Sequence, residues 1–224
     1  MCNNHSNGGH GHDHDHDAPV NQSSSIKVLF EPLIEQGVTD ELKKELADIR
    51  ALPQTEHQEV ISRLEKLVKA YPTVASLQSS LAYMHEMNKD SDKAQELYKK
   101  SIEEFPTDIL TKTAYAGFFL RKGDLASVAG VFNNIFDIKA VYPERTQFYA
   151  LEVLEFYGII GLYYAASGKR SEAYNCLTLI KKIDPQSGYV VSIGDMLGIP
   201  REDDPNFAQF YKLLKKERNK VRTK

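Results

Sequence analysis

The chain has no tryptophan and only two cysteines among its 224 residues. Cys2 and Cys176 stand far apart and form no C-x-x-C pair, which excludes a zinc ribbon and a disulfide framework and fits a reducing compartment. Excess basic charge is missing as well. With a net charge of −3, no overall positive field draws the molecule to nucleic acid or anionic lipid, so no nucleic-acid partner is expected. No uninterrupted apolar run approaches the roughly 18 residues of a membrane span, and no apolar segment of the signal-peptide kind follows the start. A cytoplasmic location is expected from these absences. What is present, 42% hydrophobic and 26% charged residues, suffices for one domain with a buried core.

Residues 1–25, "MCNNHSNGGHGHDHDHDAPVNQSSS", hold almost no large apolar side chain, and the composition predicts a disordered His/Asp-rich tail. Within it His10, His12, His14 and His16 alternate with aspartates, and an extended backbone sets alternate side chains on one side. Neutral imidazoles so placed are ligands for Ni or Zn, and the tract is similar in composition to the histidine-rich tails of nickel- and zinc-handling proteins. A solvated tail with incidental metal affinity is the other reading. No cofactor is required by any residue of the remaining chain.

From Ile26 the composition changes. The stretch "IKVLFEPLI" is apolar but too short for its period to separate an extended segment from a helical turn. Thr39 reads as an N-cap, with Asp40 and Glu41 in the first turn and Leu42, Leu46 and Ile49 on one face, which predicts a helix from Asp40 to Ala51. A second helix carries Val60, Leu64, Leu67 and Val68 and stops at Tyr71-Pro72.

Two equivalent helix ends, "AYP" and "EFP", place Pro72 and Pro106 34 residues apart, a period typical of helical repeats. Moving Leu81, Ala82, His85, Ala94 and Tyr98 by 34 gives Tyr115, Ala116, Phe119, Val128 and Phe132. A further 45, which is the period plus 11 inserted residues, gives Ile160, Gly161, Tyr164, Ala173 and Leu177, with Pro185 closing the unit. The large-small pattern is kept throughout. The turns agree independently, since "NKD" at 88–90, "KGD" at 122–124 and "SGK" at 167–169 occupy the same place in each unit.

On these residues the chain resembles the tetratricopeptide repeat (TPR) family, whose pattern runs from a large apolar residue through a small one and an aromatic to Ala, an aromatic and a closing Pro. The resemblance covers residues 75–187 as three repeats and 40–74, within an N-terminal segment of 26–74, as a degenerate first helix pair. It departs at His85, which stands where an aromatic is usual, and at Pro143, which comes late. The resemblance implies an all-α, right-handed superhelical solenoid of antiparallel helix pairs. The inserted residues, near 143–153, are expected to lengthen the first helix of the last repeat. After Pro185, residues 188–224 are expected to cap the array, with Asp204 and Pro205 opening a final helix whose end is basic.

In that family the first helix of each repeat lines a concave groove. The resemblance therefore assigns to the groove Ser79, Tyr83, Glu86, Met87, Thr113, Gly117, Leu120, Arg121, Glu155, Gly158 and Leu162. The Lys/Asn clamp that some members use for a chaperone's C-terminal carboxylate is absent, because Ser79, Tyr83, Thr113 and Gly117 fill those positions. Other chemistry is sparse. Gly161 and Gly168-Lys169 miss the spacing of a phosphate-binding loop, and Arg170 stands where it needs Ser or Thr. His57 and His85 meet no partner at catalytic spacing, and Cys176 reads as a small buried apolar residue. The sequence thus predicts a non-catalytic adaptor or chaperone-like scaffold that binds a peptide or helix of another protein, with a metal-handling accessory protein as the alternative.

Overall fold

The computed structural model describes residues 26–53 and 55–200, and among them the chain forms ten α-helices and two three-residue strands. The expected tail with His10, His12, His14 and His16 and the expected final helix at Asp204 lie outside the described residues.

Helix α1 (Asp40–Arg50) begins as the sequence predicts, with Thr39 Oγ1 accepting a hydrogen bond from the Leu42 amide at 3.1 Å. It packs on α2 (His57–Ala70). Leu42, Ile49, Ile61, Leu64 and Leu67 join Val74, Leu77 and Leu81 in one apolar cluster at this end of the molecule. Then come α3 (Ala75–Met87) and α4 (Ser91–Glu104), α5 (Ile109–Arg121) and α6 (Leu125–Val131), a one-turn α7 (Ile138–Val141), α8 (Ala150–Ala166) and α9 (Arg170–Ile183), and α10 (Gly188–Met196). Besides the contacts within pairs, α3 packs on α5, α5 on α8, and α8 on α10, so the first helices lie side by side.

The repeat is visible in the element bounds. Helices α2, α4 and α6 start at His57, Ser91 and Leu125, each 34 residues after the last, and α9 starts 45 later at Arg170. The turns before α4, α6 and α9 explain this regularity. Lys89, Gly123 and Gly168 adopt φ of 65°, 73° and 75°. The next amide in each case bonds back to a carbonyl five residues earlier: Asp90 to His85 at 2.9 Å, Asp124 to Phe119 at 3.0 Å, and Lys169 to Tyr164 at 2.9 Å. Lys89 is the one member of this set with a side chain in the left-handed region, at a cost of about 1 kcal/mol. Lys89→Gly is therefore expected to raise the urea midpoint by an equivalent of about 1 kcal/mol, and an unchanged midpoint would show that the turn is not strained.

The small-residue columns are buried as the spacing requires. Ala82, Ala94, Ala116, Val128 and Ala173 are fully buried, and Tyr98, Phe132 and Leu177 fill the space beside them. At Gly161 a Cβ would stand 2.6 Å from Ile193 Cδ1 and 3.0 Å from Cys176 Cβ, so only glycine lets α8 lie this close to α9 and α10.

The inserted residues behave differently from the expectation that they all lengthen one helix. Four do, since α8 has 17 residues where α3 and α5 have 13. Three more precede Pro143, where the second helix of the unit breaks: Asn133 and Asn134 take φ of 52° and 60° and close α6 after 7 residues, and α7 resumes before Tyr142-Pro143. Paired asparagines tolerate the left-handed region better than most residues, which makes them a stop signal inside a helical pattern. The remaining four residues lie between Pro143 and α8, where β2 (Gln147–Tyr149) pairs in parallel with β1 (Lys27–Leu29), Val28 opposite Phe148. "IKVLFEPLI" thus begins as a strand docked 120 residues from its partner, and the all-α expectation is qualified by this small sheet.

Candidate functional site: a groove across the first helices

Side chains of α1, α3, α5 and α8, closed at one edge by Tyr189 of α10 and at another by residues 33–36, surround a groove of about 1120 Å³. Its mouth carries exposed apolar side chains, Ile34, Tyr83 and Leu151.

The helix pairing places a charged cluster on one wall. Arg121, in the last turn of α5, donates from Nε and Nη2 to the two carboxylate oxygens of Glu86 on α3, both at 2.7 Å. Tyr98 Oη lies 3.5 Å from the same carboxylate, and the Tyr83 ring stacks under the guanidinium at 5.6 Å. The hydrogen bonds that Arg121 donates to Glu86 raise its pKa, so the cation is fixed. Burial, and next the Glu86 carboxylate, push the Tyr98 phenol well above its ordinary value. Gly117 makes room, since a Cβ there would meet Arg121 Nη1 at 3.1 Å.

A second cluster holds the inserted segment. Arg145 donates from Nη1 and Nη2 to Glu152 at 2.8 and 2.7 Å and lies 4.5 Å over the Phe148 ring. Glu152 also accepts from the Tyr149 amide at 2.8 Å, which caps α8. On the far wall Tyr189 Oη donates to Glu155 at 2.6 Å. Its ring lies where a Cβ on Gly158 would come within 2.5 Å, so α10 reaches the groove because position 158 has no side chain. Two of the lining residues, Ser79 and Thr111, keep their hydroxyls buried beneath the surface with no hydrogen-bond partner among the described residues.

Of the residues that the resemblance assigned to the groove, Ser79, Tyr83, Thr113, Gly117, Arg121 and Glu155 line it. The Thr113 hydroxyl is spent on the Leu110 carbonyl at 2.9 Å. Glu86 sits behind the lining as the partner of Arg121, and Gly158 lies under Tyr189. Met87 is exposed at the end of α3, Leu120 packs on the central core, and Leu162 packs on the Ala173–Leu177 cluster, all outside the lining. The sequence reading missed Arg145, Leu151, Tyr189 and the segment 33–36. Tyr189 belongs to a helix beyond the last recognisable repeat, and the strand pairing that positions 33–36 has no local signal.

Cys176 and His85, two residues of catalytic type, lie outside the groove lining. Burial pushes the Cys176 thiol up to about 12, so it stays protonated and is a poor nucleophile near neutral pH. His85 Nδ1 stands 3.5 Å from Asp90 Oδ2, yet neither ring nitrogen makes a hydrogen bond. No group of three or more His, Cys, Asp or Glu side chains among the described residues converges as a metal site. No helix among them is long and apolar enough to cross a membrane. No family model matches the chain, and no curated protein matches it.

Proposed function

We propose that the protein is a non-catalytic binding module, a TPR-like superhelical solenoid whose groove holds a peptide or helix of a partner protein. The observation that carries this reading is the groove itself, which spans successive first helices and combines an apolar mouth with fixed charges. The offset of 34 residues in helix starts supports the solenoid, because stacking units of one size produces a continuous face.

The metal-handling alternative rests on the alternation of His10, His12, His14 and His16, a ligand set that could gather nickel or zinc while the helices dock on a recipient. An affinity pull-down from native-cell extract separates the two, run with the full chain, with the chain lacking residues 1–18, and with the full chain plus chelator. The binding-module reading expects the same partner in all three arms. Loss of the partner on truncation and with chelator would establish the metal reading instead.

A further inference from the structure

Residues 26–38 form one continuous strap, of which 33–36 border the groove, and it is held at three places. At one end β1 pairs with β2, and Ile26 and Val28 pack on the central core. In the middle Glu35 reaches α3, where its carboxylate accepts the Ser76 amide at 2.9 Å and supplies the cap that Val74 cannot. At the other end Gly37, at φ 87°, fits against Thr73 and Val74, where a Cβ would come within 2.9 Å of the threonine hydroxyl, and Val38 packs on the N-terminal cluster. Between these points Phe30 and Ile34 are 68% and 82% exposed, and Leu33, Ile34, Glu35 and Gln36 form part of the groove lining.

A three-residue strand and one carboxylate cap are weak attachments, of the kind that opens locally without global unfolding. They nonetheless act at the high effective concentration of a tethered ligand. We propose that residues 26–38 are an exchangeable strap, a built-in ligand displaced when the partner enters. The partner's entering segment is extended, pairs in parallel with β2 through alternate apolar residues, and sets a carboxylate on the first amides of α3 seven residues beyond the central strand position, as Glu35 follows Val28. This rests on the groove being the partner-binding surface.

The test needs no partner. A fluorescein-labelled peptide with the sequence of residues 26–38 is titrated with the full chain and with full-chain Val28→Asp and Glu35→Ala, and binding is read by anisotropy. Both substitutions weaken the strap in place and change no residue of β2 or α3, the elements on which the peptide would dock. Exchange predicts binding at least ten-fold tighter to Val28→Asp than to the wild-type chain, and a smaller gain for Glu35→Ala, which keeps the test sound if the first variant folds poorly. Equal affinity for all three chains, or no binding to any, overturns the strap. Either result leaves the groove reading to be judged separately, by whether a partner is captured there.

Discussion

Glu152→Ala is expected to destabilise the fold by about 3 kcal/mol, the scale on which breaking one side of a buried ion pair is felt. The carboxylate side chain is 8% exposed and serves three groups at once: Nη1 and Nη2 of Arg145 and the Tyr149 amide. Removing it strands the Arg145 cation against the Phe148 and Tyr142 rings and uncaps α8, the longest helix described. Because Phe148 lies in β2, opposite Val28, the loss should also loosen β1. Glu152→Gln keeps one acceptor for the Tyr149 amide and should lie between. Urea denaturation followed by circular dichroism measures both. A loss under about 1 kcal/mol for Glu152→Ala would show that the pair is exchanged for water at little cost.

Alkaline pH is expected to unfold the protein cooperatively. Burial raises the phenols of Tyr98, Tyr115, Tyr142, Tyr157 and Tyr189, and pushes Tyr164 and the Cys176 thiol up to about 12. Nearby carboxylates add to the effect: Glu86 on Tyr98, Asp108 on Tyr142, Asp137 on Tyr157 and Glu155 on Tyr189. The folded state holds these protons more tightly than the unfolded chain, whose groups titrate from 9.0 for cysteine and 10.0 for tyrosine. Stability is therefore complete below about pH 9 and falls as the pH rises towards 12 and beyond. One pH unit between folded and unfolded values is about 1.4 kcal/mol per group, so a few such groups rival a total stability of roughly 5 to 15 kcal/mol. Tyrosinate absorbance at these sites should appear together with the loss of helical ellipticity. Complete tyrosine ionisation near pH 10 with the helix signal intact would show that the rings are open to solvent.

The helices were legible in the sequence because their determinants are local. Thr39 before Asp40-Glu41, the turns at 88–90, 122–124 and 167–169, and the spacing of Ala94, Val128 and Ala173 each act within a few residues, and the structure places the boundaries and buried columns accordingly. The broken helix was not legible. Asn133-Asn134 ends α6 through backbone conformation, while the apolar period runs on through Phe132 and Phe136. The β1–β2 pairing was missed for a different reason: each strand has three residues, too few for an alternation to register, and their union depends on chain segments far apart. The site followed the same division. Tyr83, Arg121 and Glu155 came from the register, whereas Arg145, Leu151 and Tyr189 reach the groove only through the inserted segment and α10.

A binding module of the proposed kind would take its partner into the groove across the first helices. The most direct measurement is site-specific photo-crosslinking in the native cell, with a benzophenone amino acid replacing Tyr83 at the groove mouth or Tyr174 on α9, both of which are exposed. The account predicts one discrete crosslinked species from position 83, reproduced with Leu151 as the attachment point, and none from position 174. A discrete crosslink from position 174 with none from positions 83 and 151 would place binding on the outer face and contradict it.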